Sequence, residues 1–249
     1  MRSDAFISAV SAQAQSDEEF ETLKKNLPIG EDAAGNTLFA QKRERPFTFR
    51  HTCVCGGGKS GFIRRLLITA SCLYEREEAC FFILSPMSEY GELLRLKSMD
   101  ATVPYIRNKT DLALAVQTLK ELLSQRATLR GCPHLFVVLD GLETLPDCNR
   151  NGDLEEYREI FDLFTRLSDV DVICGAELMK SIFSGEPGAF VGIGNCLITT
   201  REEGKADVTY VKEDGSMSLP TPVRYPYLPS LIETVIQINA LATKEKQSL

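Results

Sequence analysis

Cys55-Gly56-Gly57-Gly58-Lys59-Ser60 is the stretch of this 249-residue chain whose residue types and spacing best suit a defined chemistry, the grip of a phosphate group. Three glycines in a row leave backbone N–H groups unshielded by side chains, and a lysine and a serine follow at once. In a loop of this kind the lysine reaches the outer phosphates of a nucleotide and the serine hydroxyl ligates Mg²⁺. Gly56, Gly57, Gly58, Lys59 and Ser60 are therefore the nucleotide-binding candidates, for ATP above all, and Ser60 is a metal-ligand candidate.

The full pattern, G-x-x-x-x-G-K-[ST], is not met. Read without gaps, Cys53 stands where the first glycine belongs; the alternative is a loop shortened to Gly56-Gly57-Gly58. Either way the phosphate cradle is altered. A glycine-rich turn without ligand is the plain alternative.

The second candidate is Asp140. It ends the apolar run Val137-Val138-Leu139, as the acid of a Walker B strand does. Such an acid sits at the carboxyl end of a parallel strand, where ligands bind in open sheets, and holds Mg²⁺ directly or through water. A buried strand ending in a turn aspartate is common, but the Gly-Lys-Ser about 80 residues earlier adds weight to the functional reading.

These residues need strands and helices to position them, and the pattern supplies both. A strand-like run over 47–54 precedes the glycines, and a helix is expected from Lys59 to about Tyr74. Short apolar runs at 80–84, 135–139, 170–174 and 195–199 read as buried parallel strands. Between them, Asp111 to Gln125 has Leu112, Val116, Leu119 and Leu123 on one helical face. Helices are also expected over 88–97, 154–167 and 228–241, extended pieces over 37–40, 103–106 and 208–211, and a turn-rich lead-in over 27–36. Residues 4–25 read as an amphipathic helix carrying Phe6, Val10, Phe20 and Leu23. Strands alternating with helices predict an α/β fold with a mostly parallel sheet covered on both faces.

Composition narrows the class. The chain is 43% hydrophobic and 25% charged, as expected of a soluble globular protein. No apolar run approaches the ~20 residues that cross a bilayer. The acidic, polar start through Glu21 is unlike a secretory signal. A net charge of −7 argues against a generally basic nucleic-acid-binding surface. Eight cysteines and two histidines show no zinc-finger spacing, so core packing is the expected role of the Cys53-x-Cys55 pair and a reducing cytoplasm the expected compartment.

With Gly58-Lys59-Ser60 and Val137-Val138-Leu139-Asp140 in place, residues 27 to 240 resemble the motor domain of the FtsK/SpoIIIE DNA translocases, within the FtsK/HerA group of RecA-like P-loop ATPases. Leu27-Pro28-Ile29-Gly30-Glu31-Asp32 is similar to that family's lead-in before the first strand. Phe82-Ile83-Leu84-Ser85-Pro86-Met87-Ser88-Glu89-Tyr90 resembles its strand ending in Asp-Pro-Lys with a following acid. The resemblance implies a RecA-like sandwich over 27–249 with a helical extension over 1–26, ATP and Mg²⁺ as cofactors, a hexameric ring and duplex DNA as partner. Arg64, Arg65, Arg126, Arg130 and Lys180 are the candidate phosphate-contacting cations, and Arg201 a candidate arginine acting on a neighbouring subunit.

The departures from that family bear on catalysis. The water-polarising glutamate after the Walker B aspartate is Gly141 here, and the next acid, Glu143, is expected to point elsewhere along the turn. The sensor Gln is absent, its place taken by Ala176-Glu177-Leu178. Asp140, Glu143 and Glu177 are thus the remaining catalytic candidates. Phosphoryl transfer needs several parts in place, and loss of a general base costs about 10²–10⁴-fold. The expectation is a degenerate FtsK-like ATP-binding domain with weak or no hydrolysis. The alternative is a non-catalytic pseudo-ATPase scaffold in a division, DNA-transfer or secretion complex.

Overall fold

The computed structural model describes residues 17–40, 50–145, 170–175, 196–202, 204–212, 214, 216–226 and 230–245. Expectations for a helix over 154–167, a loop over 183–193, and Glu177 and Lys180 lie outside them.

The strands are β1 Pro28–Glu31, β2 Thr37–Phe39, β3 Arg50–Gly56, β4 Ala79–Leu84, β5 Asp100–Thr102, β6 His134–Leu139, β7 Val170–Gly175, β8 Cys196–Glu202, β9 Lys205–Tyr210 and β10 Thr221–Arg224. They form one sheet in the order β2-β1-β10-β9-β8-β3-β7-β6-β4-β5. From β8 to β5 every pairing is parallel. From β8 outward to β2 the pairings are antiparallel. The expected parallel core is therefore present, and a four-strand antiparallel wing extends it.

The helices are α1 Asp17–Asn26, α2 Lys59–Leu73, α3 Lys109–Arg126 and α4 Leu231–Glu245, with a 3-10 helix over Ser88–Arg95. On one face of the sheet, Phe62, Ile63, Leu66 and Leu67 of α2 share a core with Leu23 of α1, Leu93, and Val235 and Ile238 of α4. On the other face, Leu112, Ala115, Val116, Leu119 and Leu123 of α3 pack against Leu135, Val137, Leu139, Val172 and Cys174. The strands β4, β6 and β7 are buried on both faces, which is why β4 and β6 read as nearly unbroken apolar runs and β7 departs from one only at Asp171 and Gly175. Among the described residues no helix is long and apolar enough to cross a membrane.

Several boundaries differ from expectation for local reasons. The helix expected at Asp111 starts at Lys109, because the Asn108 side chain accepts a hydrogen bond from the Asp111 N–H and caps the helix. The lead-in over 27–36 contains β1, which pairs with β2. The extended piece expected at 103–106 is displaced to β5 at Asp100–Thr102; Pro104 has no N–H to give a sheet ladder. The helix expected over 88–97 is a 3-10 turn.

Topology places the site. The chain leaves β3 for β4 on one side and returns through β8 on the other. Loops at the carboxyl ends of β3 and β8 therefore flank a switch point, where open parallel sheets form a crevice.

Candidate functional site

β3 remains a strand through Gly56, and α2 begins at Lys59. Only Gly57 and Gly58 lie between them, so the loop is the shortened alternative. Cys53 sits within the sheet, in register with Cys174 and Leu197.

The turn is held from β8. Thr200 Oγ1 lies 2.8 Å from the carbonyl oxygens of both Cys55 and Gly57, to which its single O–H can donate. Gly56 has φ 95°, and a Cβ there would fall 2.1 Å from the Thr200 carbonyl oxygen. Only glycine fits this close approach. The N-terminus of α2 has Gly58 as its cap, with no side-chain cap and no acid in the first turn. Its first N–H groups precede the Phe62 N–H to Gly58 carbonyl bond and lack intrahelical acceptors, the arrangement that favours an anion.

Lys59 departs from this terminus across the end of β7. Its Nζ donates to Glu143 Oε1 at 2.7 Å and lies 3.6 Å from Asp140 Oδ1. The lysine and both acids are therefore brought together. Glu143 corrects the expectation that it would point elsewhere. Gly141, at φ 69°, starts a 3-10 turn over Leu142–Thr144 that swings Glu143 back to Lys59. Ser60 is half-buried in the first turn of α2, and its carbonyl accepts from Arg64 Nε at 3.2 Å.

Asp140 is wholly buried. The Tyr90 hydroxyl donates to its Oδ2 at 2.8 Å. Burial, then the Asp140 carboxylate, raise the Tyr90 pKa well above the ordinary phenol value, so Tyr90 stays a donor. Asp140 Oδ1 and Glu143 Oε2 accept no hydrogen bond from the described residues although both are buried. One ammonium against two carboxylates leaves an excess of acid. Under-satisfied buried carboxylate oxygens of this kind suit a divalent cation.

Tyr90, Gly175 and Thr200 were not read as site residues from the sequence. Tyr90 lay within the segment compared with the Asp-Pro-Lys strand, the one signal that could have drawn attention to it. Among the expected cations, Arg65 and Arg126 are internal and cannot line a nucleic-acid surface. Arg65 stacks on the rings of Phe62 and Tyr225. Arg126 donates to the Pro133 carbonyl. Arg201 is paired within the chain to Asp207.

No protein-family model and no curated protein sequence matches the chain. Solved structures do match in fold. The cytoplasmic domain of the Thermomonospora curvata type VII secretion ATPase EccC aligns with TM-score 0.58 at 15% identity, over 87% of this chain and 31% of that one. The cytoplasmic domain of EssC aligns with TM-score 0.52 at 16% identity, over 82% of this chain and 44% of that one. EssC from Geobacillus thermodenitrificans, comprising its ATPases 2 and 3, gives 0.51 at 14% identity, over 90% of this chain and 50% of that one. The chain thus spans half or less of each. The chain shares the fold of these ATPase domains, a RecA-like sandwich with a mostly parallel sheet.

Proposed function

We propose that the chain is a degenerate FtsK-like ATPase domain that binds Mg²⁺-nucleotide weakly at the α2 N-terminus and hydrolyses it slowly or not at all. The observation that carries this reading is Lys59 held between Glu143 and Asp140 at the mouth of the glycine turn. In the resting arrangement the lysine neutralises the acids. With nucleotide bound, Asp140, Glu143 and the Ser60 hydroxyl would hold Mg²⁺, freeing Lys59 for a phosphate. Mg²⁺ would supply charge neutralisation to the phosphates.

The chain's own residues would make turnover slow. The turn of Gly57 and Gly58 offers fewer N–H groups than the full pattern, so phosphates are held by the helix end and Lys59. No carboxylate stands at 141. Glu143 is the described acid closest to the site's cation and the candidate for orienting water. Glu177 is retained as a proposed alternative acid.

The partners would be further ATPase domains and the substrates of a secretion assembly, by analogy with EccC and EssC, each of which has a solved fragment holding ATPases 2 and 3. A cytoplasmic location and a ring belong to the same proposal. Duplex DNA is the weaker alternative, since two of its expected contacts are internal. Titration of the chain with a non-hydrolysable ATP analogue and Mg²⁺, beside Lys59→Ala, tests the reading: measurable binding lost in the variant supports it.

The second reading is a scaffold that binds no nucleotide. The two-residue turn favours it. Absence of binding at millimolar ligand would establish it over the first.

A further inference from the structure

One cluster stands apart from the phosphate site. His51 and Cys53 lie on one face of β3, and Cys174 is the register partner of Cys53 on β7. All three are buried, at 1%, 0% and 0% exposure. His51 Nε2 lies 2.8 Å from Cys174 Sγ, and Cys53 Sγ lies 3.3 Å from it. The three donor atoms are all within 4.8 Å of one another.

We propose that His51, Cys53 and Cys174 form a zinc-binding site inside the sheet, on the face that α3 covers. The donor set is the soft nitrogen–sulfur set that zinc takes. With Zn–S ~2.3 Å and Zn–N ~2.0 Å, a tetrahedron has edges of roughly 3.5–3.8 Å, so His51 Nε2 and Cys174 Sγ must spread by about 0.7 Å and the two sulfurs by about 0.5 Å. Two thiolates and a neutral imidazole balance the charge of Zn²⁺, which makes the filled site neutral and compatible with burial. The described residues supply three donors, leaving the fourth place for water.

A lone buried cysteine acts as a small apolar filler. Here three polarisable donors face one another where the surrounding positions are Val137, Leu139, Val172 and Leu197. A free thiol is mostly protonated at neutral pH. Zinc binding then displaces the thiol protons, two per ion, to solvent. Spacing alone could not show this site, because Cys174 lies 121 residues beyond Cys53 and meets it only through strand pairing.

The test uses the full chain, reduced and stripped with chelator, titrated with Co²⁺ as a spectroscopic probe for zinc. One equivalent should give thiolate-to-cobalt charge-transfer absorption, which one equivalent of Zn²⁺ then bleaches. Calorimetry in buffers of different ionisation enthalpy should report release of about two protons per zinc. Cys53→Ser and Cys174→Ser should each weaken binding at least ~10-fold, while Cys55→Ser and Cys72→Ser leave it unchanged. Should a serine variant lose its native circular dichroism, alkylation of the wild type in moderate urea decides: zinc should slow modification of Cys53 and Cys174 at least tenfold and leave Cys72 unaffected. No charge-transfer band in the folded protein, a band that survives in the Cys53/Cys174 double variant, no zinc protection, or uptake of Cu⁺ but not Zn²⁺ would overturn the assignment.

Discussion

Lys59 crosses the carboxyl end of β7 against Gly175: a Cβ on that glycine would lie 2.9 Å from the lysine Nζ and 3.2 Å from its Cδ. The lysine reaches the acids because Gly175 has no side chain. Gly175→Ala should therefore push Lys59 off its path while leaving the core intact, since the atoms it meets are the far end of a flexible side chain. The expected result is a loss of Mg²⁺-nucleotide affinity of about tenfold, ~1.4 kcal/mol. The melting temperature should fall by under ~4 °C, the shift about 1 kcal/mol produces in a domain of this size. Unchanged affinity would mean that Lys59 does not contact the ligand.

Placing a glutamate where the translocases carry one should not restore turnover. Gly141 has φ 69°, and its Cβ would fall 2.9 Å from Met87 Cε. Gly141→Glu forces a side chain into a left-handed conformation against a packed methionine, at a cost of about 1–3 kcal/mol. Gly141→Ala should destabilise the fold by a similar free energy, read from thermal unfolding, without adding charge. A stable Gly141→Glu variant with raised ATPase activity would contradict both the strain and the geometry.

Tyr90→Phe should destabilise the fold by about 1–3 kcal/mol, because Asp140 Oδ2 is buried and would lose its hydroxyl donor. Thermal or urea unfolding measures this. A change below ~0.5 kcal/mol would show that Asp140 finds another donor on relaxation.

Thiol reactivity should follow burial. Burial pushes the Cys72 thiol up to about 12, and raises those of Cys174 and Cys196 too. At pH 8 only about 10⁻⁴ of Cys72 would be thiolate, rising roughly tenfold per pH unit. Iodoacetamide at pH 8 should modify half-buried Cys55 and Cys132 at least ~100-fold faster than buried Cys174 and Cys196, and faster than Cys72, which is equally half-buried but has the raised thiol, by peptide mapping. Rapid labelling of Cys174 in the native protein would mean that this part of the sheet opens readily.

Much of the parallel core was legible in the sequence because strands buried on both faces carry unbroken apolar runs, as Phe81 to Leu84 and Leu135 to Leu139 do. The antiparallel wing was only partly legible. β1 and β10 are only four residues each and carry Pro28 and Pro222, and β10 is largely exposed, so neither alternation nor apolar run marks them. At the site, residue type sufficed to find Lys59 and Asp140. The direction of Glu143 was not readable, because it depends on a positive φ at Gly141. Gly175 and Thr200 act through contacts with residues more than 100 positions earlier, which only the strand order brings together.

The site should hold nucleotide through Lys59 but turn it over poorly. Starting from a median enzyme near 10 s⁻¹, loss of a general base predicts about 10⁻³–10⁻¹ s⁻¹. The most direct measurement is therefore paired: calorimetric titration of Mg²⁺ with an ATP analogue, and steady-state phosphate release from ATP, on wild type, Lys59→Ala and Glu143→Gln. Weak binding should be abolished by Lys59→Ala, and hydrolysis should run no faster than ~10⁻¹ s⁻¹ and fall further in Glu143→Gln. Binding indifferent to Lys59→Ala, or turnover of tens per second indifferent to Glu143→Gln, would contradict this.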